Sequence, residues 1–131
     1  MCLVTNNPTP KVANKPIRVW KVLRIFKDED SENTIKYCTP YLNVSVNIGE
    51  TLRAAGSSQK LKLYRNTNFS IVQGQGVHAF ISIKHALLEE YFINHGIVTE
   101  WEIPTGAKYW IGIGPWHGQI AATEMNFIKI L

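Results

Sequence analysis

IRVWKVLRIF, residues 17–26, is the stretch whose reading decides the fold. Ile17, Val19, Leu23 and Ile25 share one parity, broken only by Lys21, while Arg18, Trp20, Val22, Arg24 and Phe26 share the other. Side chains alternate across a strand with a period of two, so this is a β-strand with one apolar and one mixed face. The charged run KDEDSEN, 27–33, follows as a turn. TIKYCT, 34–39, returns as its hairpin partner, with β-branched and aromatic residues that suit a half-buried pleat.

Outward from this hairpin the strand signals recur. Upstream, TNNPTPKVANKP, 5–16, carries three prolines that resist helix and donate nothing to a ladder, so residues 1–16 form an extended N-terminal arm. Downstream, YLNVSVNI, 41–48, alternates with Leu42, Val44, Val46 and Ile48 on one face, as a strand with one wet side does. Residues 49–60 and 66–76 read as loops, 61–65 and 77–81 as short strands. GIVTEWEI, 96–103, alternates again, a Pro104-Thr105-Gly106 turn follows, and 107–113 and 124–131 supply the last strands.

One helix is expected, over 83–94, with Ser82 as N-cap and Gly96 as the left-handed residue past its end. Ile83, Leu87 and Tyr91 recur every four residues, with Ala86 and Leu88 beside them, and would dock on the sheet. Six to eight strands with short connections and one helix place the chain in the α+β class, with a mostly antiparallel sheet.

Composition bounds the function classes. The 131 residues, 45% hydrophobic and 18% charged, make one domain, 1–131, large enough to hold together by its own core and too apolar to be disordered. No run reaches the roughly 18 apolar residues of a membrane span, so no membrane partner is expected. Two cysteines, Cys2 and Cys38, and no secretory signal point to the cytoplasm. Residues 1–65 hold 11 Lys/Arg against 5 Asp/Glu, and residues 66–131 hold 3 against 5, which leaves the basic excess in the first half. That asymmetry suits an anionic partner, although the basic residues stand singly, as on an ordinary soluble surface.

The candidate chemistry is sparse. His78 follows the flexible Gly74-Gln75-Gly76 stretch, where a backbone can approach a ligand; as a structural residue it would be hydrogen-bonded at a sheet edge. Trp116 and His117 sit in the glycine-flanked loop Gly114–Gly118, and Tyr109 and Trp110 precede it, so a stacking surface would gather there; packing and loop anchoring account for the same residues. Arg18, Trp20, Arg24 and Phe26 form a basic, aromatic strand face that could meet nucleic acid or cover a helix with its alkyl stems. Glu100 and Glu102 lie about 7 Å apart on one strand face, an acid–base geometry or, with Lys108 nearby, an ion pair. Glu89 and Glu90 read as solvated charges. Removal of Met1 would leave Cys2 with a thiol beside an α-amine of pKa about 8, the arrangement of an N-terminal nucleophile; a buried apolar Cys2 is the structural reading. His85, His95 and His117 have no metal-ligand spacing with one another or with the cysteines, so no metal and no cofactor is expected.

Met1-Cys2-Leu3, Lys21-Val22-Leu23, Gly76-Val77-His78-Ala79-Phe80 and the run from Ile103-Pro104 to Tyr109 resemble a loose set of small uncharacterised bacterial and phage proteins. That resemblance implies a phage or accessory-genome origin and no particular activity. A remoter likeness is to ADP-ribosyltransferase-type folds, in which Arg18, His78 and Glu100 would occupy comparable places. Here Glu102 is followed at once by Ile103-Pro104, and Phe80-Ile81-Ser82 offers one serine where that family has a Ser-Thr-Ser. The sequence thus favours a non-enzymatic binding module for a small anionic ligand or a protein, with Arg18, His78, Tyr109, Trp116 and His117 as ligand-binding residues. An ADP-ribosyltransferase-like enzyme and a nucleic-acid-binding protein are the alternatives. An unpaired edge strand would let two copies associate across a two-fold axis.

Overall fold

The computed structural model describes residues 3–5, 9–28, 34–39, 44–54, 61–63, 70–72, 77–113 and 118–131. Strand β3 (Ile17–Asp28) is the spine of the sheet. It pairs antiparallel with β10 (Gly96–Ile103) over eight positions, from Arg24 opposite Gly96 to Ile17 opposite Ile103. Along its other edge β3 meets β9 (Val77–Phe80) at Trp20 alone, and then β4 (Thr34–Cys38) from Arg24 to Asp28. The expected hairpin of 17–26 with 34–39 is therefore present.

Outward from β9 run β12 (Gln119–Ala122), β11 (Lys108–Ile111) and β2 (Lys11–Val12). Outward from β10 run β13 (Glu124–Ile130) and β6 (Thr51–Arg53). With β4 and its partner β5 (Ser45–Val46), this sheet has ten strands. A second sheet joins β1 (Leu3–Thr5), β8 (Ser70–Val72) and β7 (Leu61–Leu63). All these pairings are antiparallel.

The described residues thus hold thirteen strands, not six to eight. The excess comes from pieces of two to four residues, too short to show a period: β1 and β2 inside the proline-rich arm, β6 and β8 inside expected loops, and β12. Within the expected strand 41–48 only Ser45–Val46 is strand, 41–43 lie outside the described residues, and Val44 and Ile48 are exposed while Val46 is buried. Of the described residues in that apolar row only Val46 reaches the core.

One face of the large sheet carries the main core: Val19, Leu23, Val77, Ala79, Trp101, Ile103, Ile120, Met125 and Phe127, with Ala13 and Val46. Ala13, beside the edge strand β2, and Met125, beside the opposite edge, belong to one cluster, so the core runs across this inner face from edge to edge. Trp101 is fully buried and stacks on Phe127 with ring centroids 4.7 Å apart. Its indole N–H donates to Thr99 Oγ1 at 2.7 Å, and the Thr99 hydroxyl donates to the Lys21 carbonyl at 2.6 Å, so the polar end of the core is satisfied.

The outer face is covered by helix α1 (Ile83–Phe92) and by β1. Ser82 caps α1, accepting the His85 backbone N–H, as expected. Of the residues expected to dock, only Ala86 does so. Ala86 alone is fully buried in α1, against Val22 and Val98, whereas Ile83, Leu87 and Tyr91 are exposed. A small residue lets the helix axis approach the sheet closely. Glu90, expected to be solvated, ties α1 to β10 by accepting the Val98 N–H at 2.9 Å. The left-handed residue after the helix is His95 (φ 58), not Gly96. Gly96 is needed for space: a Cβ there would lie 3.0 Å from both the Ile93 carbonyl oxygen and Val22 Cγ1. Among the described residues no helix is long and apolar enough to cross a membrane.

Candidate functional site

A groove opens where the N-terminal arm meets the edge of the large sheet. Lys11 and Val12 pair with Tyr109 and Lys108, and Ala13 anchors the arm through bonds from its N–H to the Ala107 carbonyl (2.9 Å) and from the Gly106 N–H to its own carbonyl (2.7 Å). On the outer face Leu3 buries itself against Trp110 and Ala121, which brings β1 over the same strands. Between these attachments lies a cavity of about 180 Å³ lined by Thr5, Thr9, Lys11, Tyr109, Trp110, Ile111 and Ile113. Its lining combines a lysine, two threonines and a tyrosine with a tryptophan and two isoleucines. Such a lining gives an anion a charge and hydrogen-bond donors, and gives a flat or apolar ligand body a surface to lie on.

Of the expected ligand-binding residues, Tyr109 stands in this groove. Trp116 and His117 lie outside the described residues, as do Cys2 and Gly74–Gly76. Arg18 and His78 lie elsewhere. Arg18 alternates with Ile17 and Val19 of the main core and so turns away from the face on which Tyr109 packs. Its guanidinium meets Glu100 at 3.3 Å and Glu102 at 3.8 Å, and Lys129 reaches Glu100 at 4.0 Å. The two glutamates share a strand face as expected, but their cations are Arg18 and Lys129 rather than Lys108. Arg18 and Glu100, two of the three transferase-like positions, therefore neutralise each other.

The chain matches no protein family, no curated protein and no solved structure.

His78 sits on β9, opposite Ala121, near the place where β9 leaves β3. Along that edge of β3 there is a gap between the Trp20 pairing with β9 and the start of β4 at Arg24. Lys21 fills it, and its ammonium donates to the His78 carbonyl at 2.7 Å. Burial pulls the Lys21 amine down from 10.5 to about 8, because the charged form loses water and gains little in return. The break in parity at Lys21 was the sequence signal of this feature. Lys11, Thr5 and Thr9 gave none: they lie in the arm, where two- and three-residue strands are too short to show which way a side chain points.

Proposed function

We propose that the protein is a non-enzymatic binding module whose ligand is small and anionic, held in the groove between β2, β11 and β1. The observation that carries this reading is that Lys11 lines one cavity together with Tyr109 and the polar residues Thr5 and Thr9. Lys11 supplies the charge, and the Tyr109 ring supports the remainder of the ligand. The basic excess of the first half of the chain favours approach of an anion. The reading places the protein in the cytoplasm, where its two cysteines need no partner.

The test is thermal stabilisation by a panel of inorganic phosphate, phosphate monoesters and short carboxylates, since a ligand that binds only the folded state raises its melting temperature. The expected result is stabilisation by at least one of them, abolished by Lys11→Ala and weakened by Tyr109→Ala, with Arg18→Ala unchanged. Stabilisation that survives Lys11→Ala but disappears in Arg18→Ala would move the site to the Arg18–Glu100–Glu102 cluster. No stabilisation by any anion would remove the proposal.

A further inference from the structure

The solvent side of α1 is apolar except at Lys84. Ile83, Leu87 and Tyr91 form one row at four-residue spacing, and Lys84, Leu88 and Phe92 form the adjacent row. Leu87 is 51% exposed, Leu88 58%, Tyr91 85% and Phe92 78%, and the last two rings contact each other edge to face at 5.3 Å. A helix that served only to cover the sheet would carry polar residues here. We propose that this face is the contact of a symmetric dimer, in which α1 packs antiparallel against α1 of a second copy.

Two observations select a second copy as the occupant. The first is area. An aromatic side chain carries about 150–250 Å², so the five exposed apolar residues present roughly 600 Å², the upper end of the largest patch on monomers. Two copies then bury about 1,200 Å², where the range of stable interfaces begins. The second is self-complementarity, which a two-fold contact requires because each residue must meet its own counterpart surface. An axis between Leu87 and Leu88 sets Leu87 against the partner's Leu88, Ile83 against the partner's Phe92, and Lys84 against the partner's Tyr91. Ile83, Leu87, Leu88 and Phe92 then each meet an apolar residue, and the only charge on the face, Lys84, lies over the Tyr91 ring, which attracts a cation. The antiparallel arrangement also sets opposite helix ends side by side. The groove of the proposed ligand site lies on other elements, so the two proposals stand or fall separately.

Sedimentation equilibrium of the full chain over a hundredfold dilution is the test, with far-UV circular dichroism to check folding. The expected result is a concentration-dependent dimer that Leu88→Glu weakens at least about tenfold. Tyr91→Asp, at the most exposed position, should do the same, so the result does not hang on one variant folding. Val12→Lys, on the edge strand β2, should leave the dimer intact. A wild-type monomer at every concentration overturns the proposal, as does a dimer that survives both helix substitutions. Loss of the dimer with Val12→Lys alone overturns it in favour of edge-strand pairing. A monomer that binds lipid vesicles through Leu88 and Tyr91 overturns it in favour of a membrane surface.

Discussion

Gly118 lies against the imidazole of His85: a Cβ added to Gly118 would stand 2.8 Å from His85 Cε1 and 2.9 Å from Nδ1. Two parts of the molecule meet here, the first turn of α1 and the start of β12. The Ile81 N–H also donates to the Gly118 carbonyl at 2.8 Å, and Ser82 Oγ lies 2.6 Å from His85 Nδ1. The helix start is thus clamped to the sheet through one glycine, which also has φ +84.

Gly118→Ala should therefore destabilise the fold twice over, by the left-handed backbone and by the clash, for a total of about 1–3 kcal/mol. Urea unfolding gives the magnitude. In a His85→Ala background the steric part should disappear while the backbone part remains, so a double-mutant cycle should return a nonzero coupling. Purely additive effects would show that the ring can move aside freely.

Thr99 is the second position where one side chain serves two elements. Its hydroxyl accepts from Trp101 and donates to the Lys21 carbonyl, and the residue is fully buried. Thr99→Val keeps the shape and removes both bonds. Leaving buried polar groups without partners costs about 1–3 kcal/mol each, so a loss of a few kcal/mol in urea is expected. Trp101 fluorescence should shift as well, since the indole N–H loses its acceptor.

Lys21 gives a pH dependence whose sign is fixed. In the unfolded chain its amine holds a proton up to about 10.5, and in the folded chain it releases it near 8. Between those values the unfolded state binds more protons, so this residue makes stability rise with pH across the window. The stabilisation is complete above 10.5 and lost as the pH falls through 8. Wild type should therefore gain on Lys21→Met between pH 7.5 and 9.5 when both are followed by thermal unfolding. A constant difference between them over that window would mean the amine keeps its ordinary affinity for protons.

How far the sequence reached follows from the length of its repeats. Residues 17–26 and 96–103 alternate long enough to fix both strand and face, and they form the best-paired ladder of the sheet. Ser82 and the apolar run behind it were enough for a helix. The face of that helix was not legible, because apolar residues occur almost all around it and spacing alone cannot choose among them. The groove was legible only at Tyr109. Lys11 is brought to it by a two-residue pairing, and a register that short leaves no pattern in a proline-rich arm. Arg18 was singled out for its charge, but cross-strand neighbours on β10, invisible without the register, already use that charge.

The helix face offers a direct contest between spacing and packing. If Ile83, Leu87 and Tyr91 were the docking row, Leu87→Ala would open a cavity and cost about 2–5 kcal/mol, while Ala86→Leu would place a larger side chain in solvent at little cost. The packing against Val22 and Val98 reverses both expectations. Ala86 has no exposed surface, so three further heavy atoms there must push α1 off the sheet and strain the Glu90 bond to Val98, at a cost of about 1–3 kcal/mol or more. Leu87→Ala, at low concentration where copies are separated, should cost less than about 1 kcal/mol. Urea unfolding of the two variants at low protein concentration decides the matter. A larger loss for Leu87→Ala than for Ala86→Leu would mean that the helix is turned about its axis from the orientation described here.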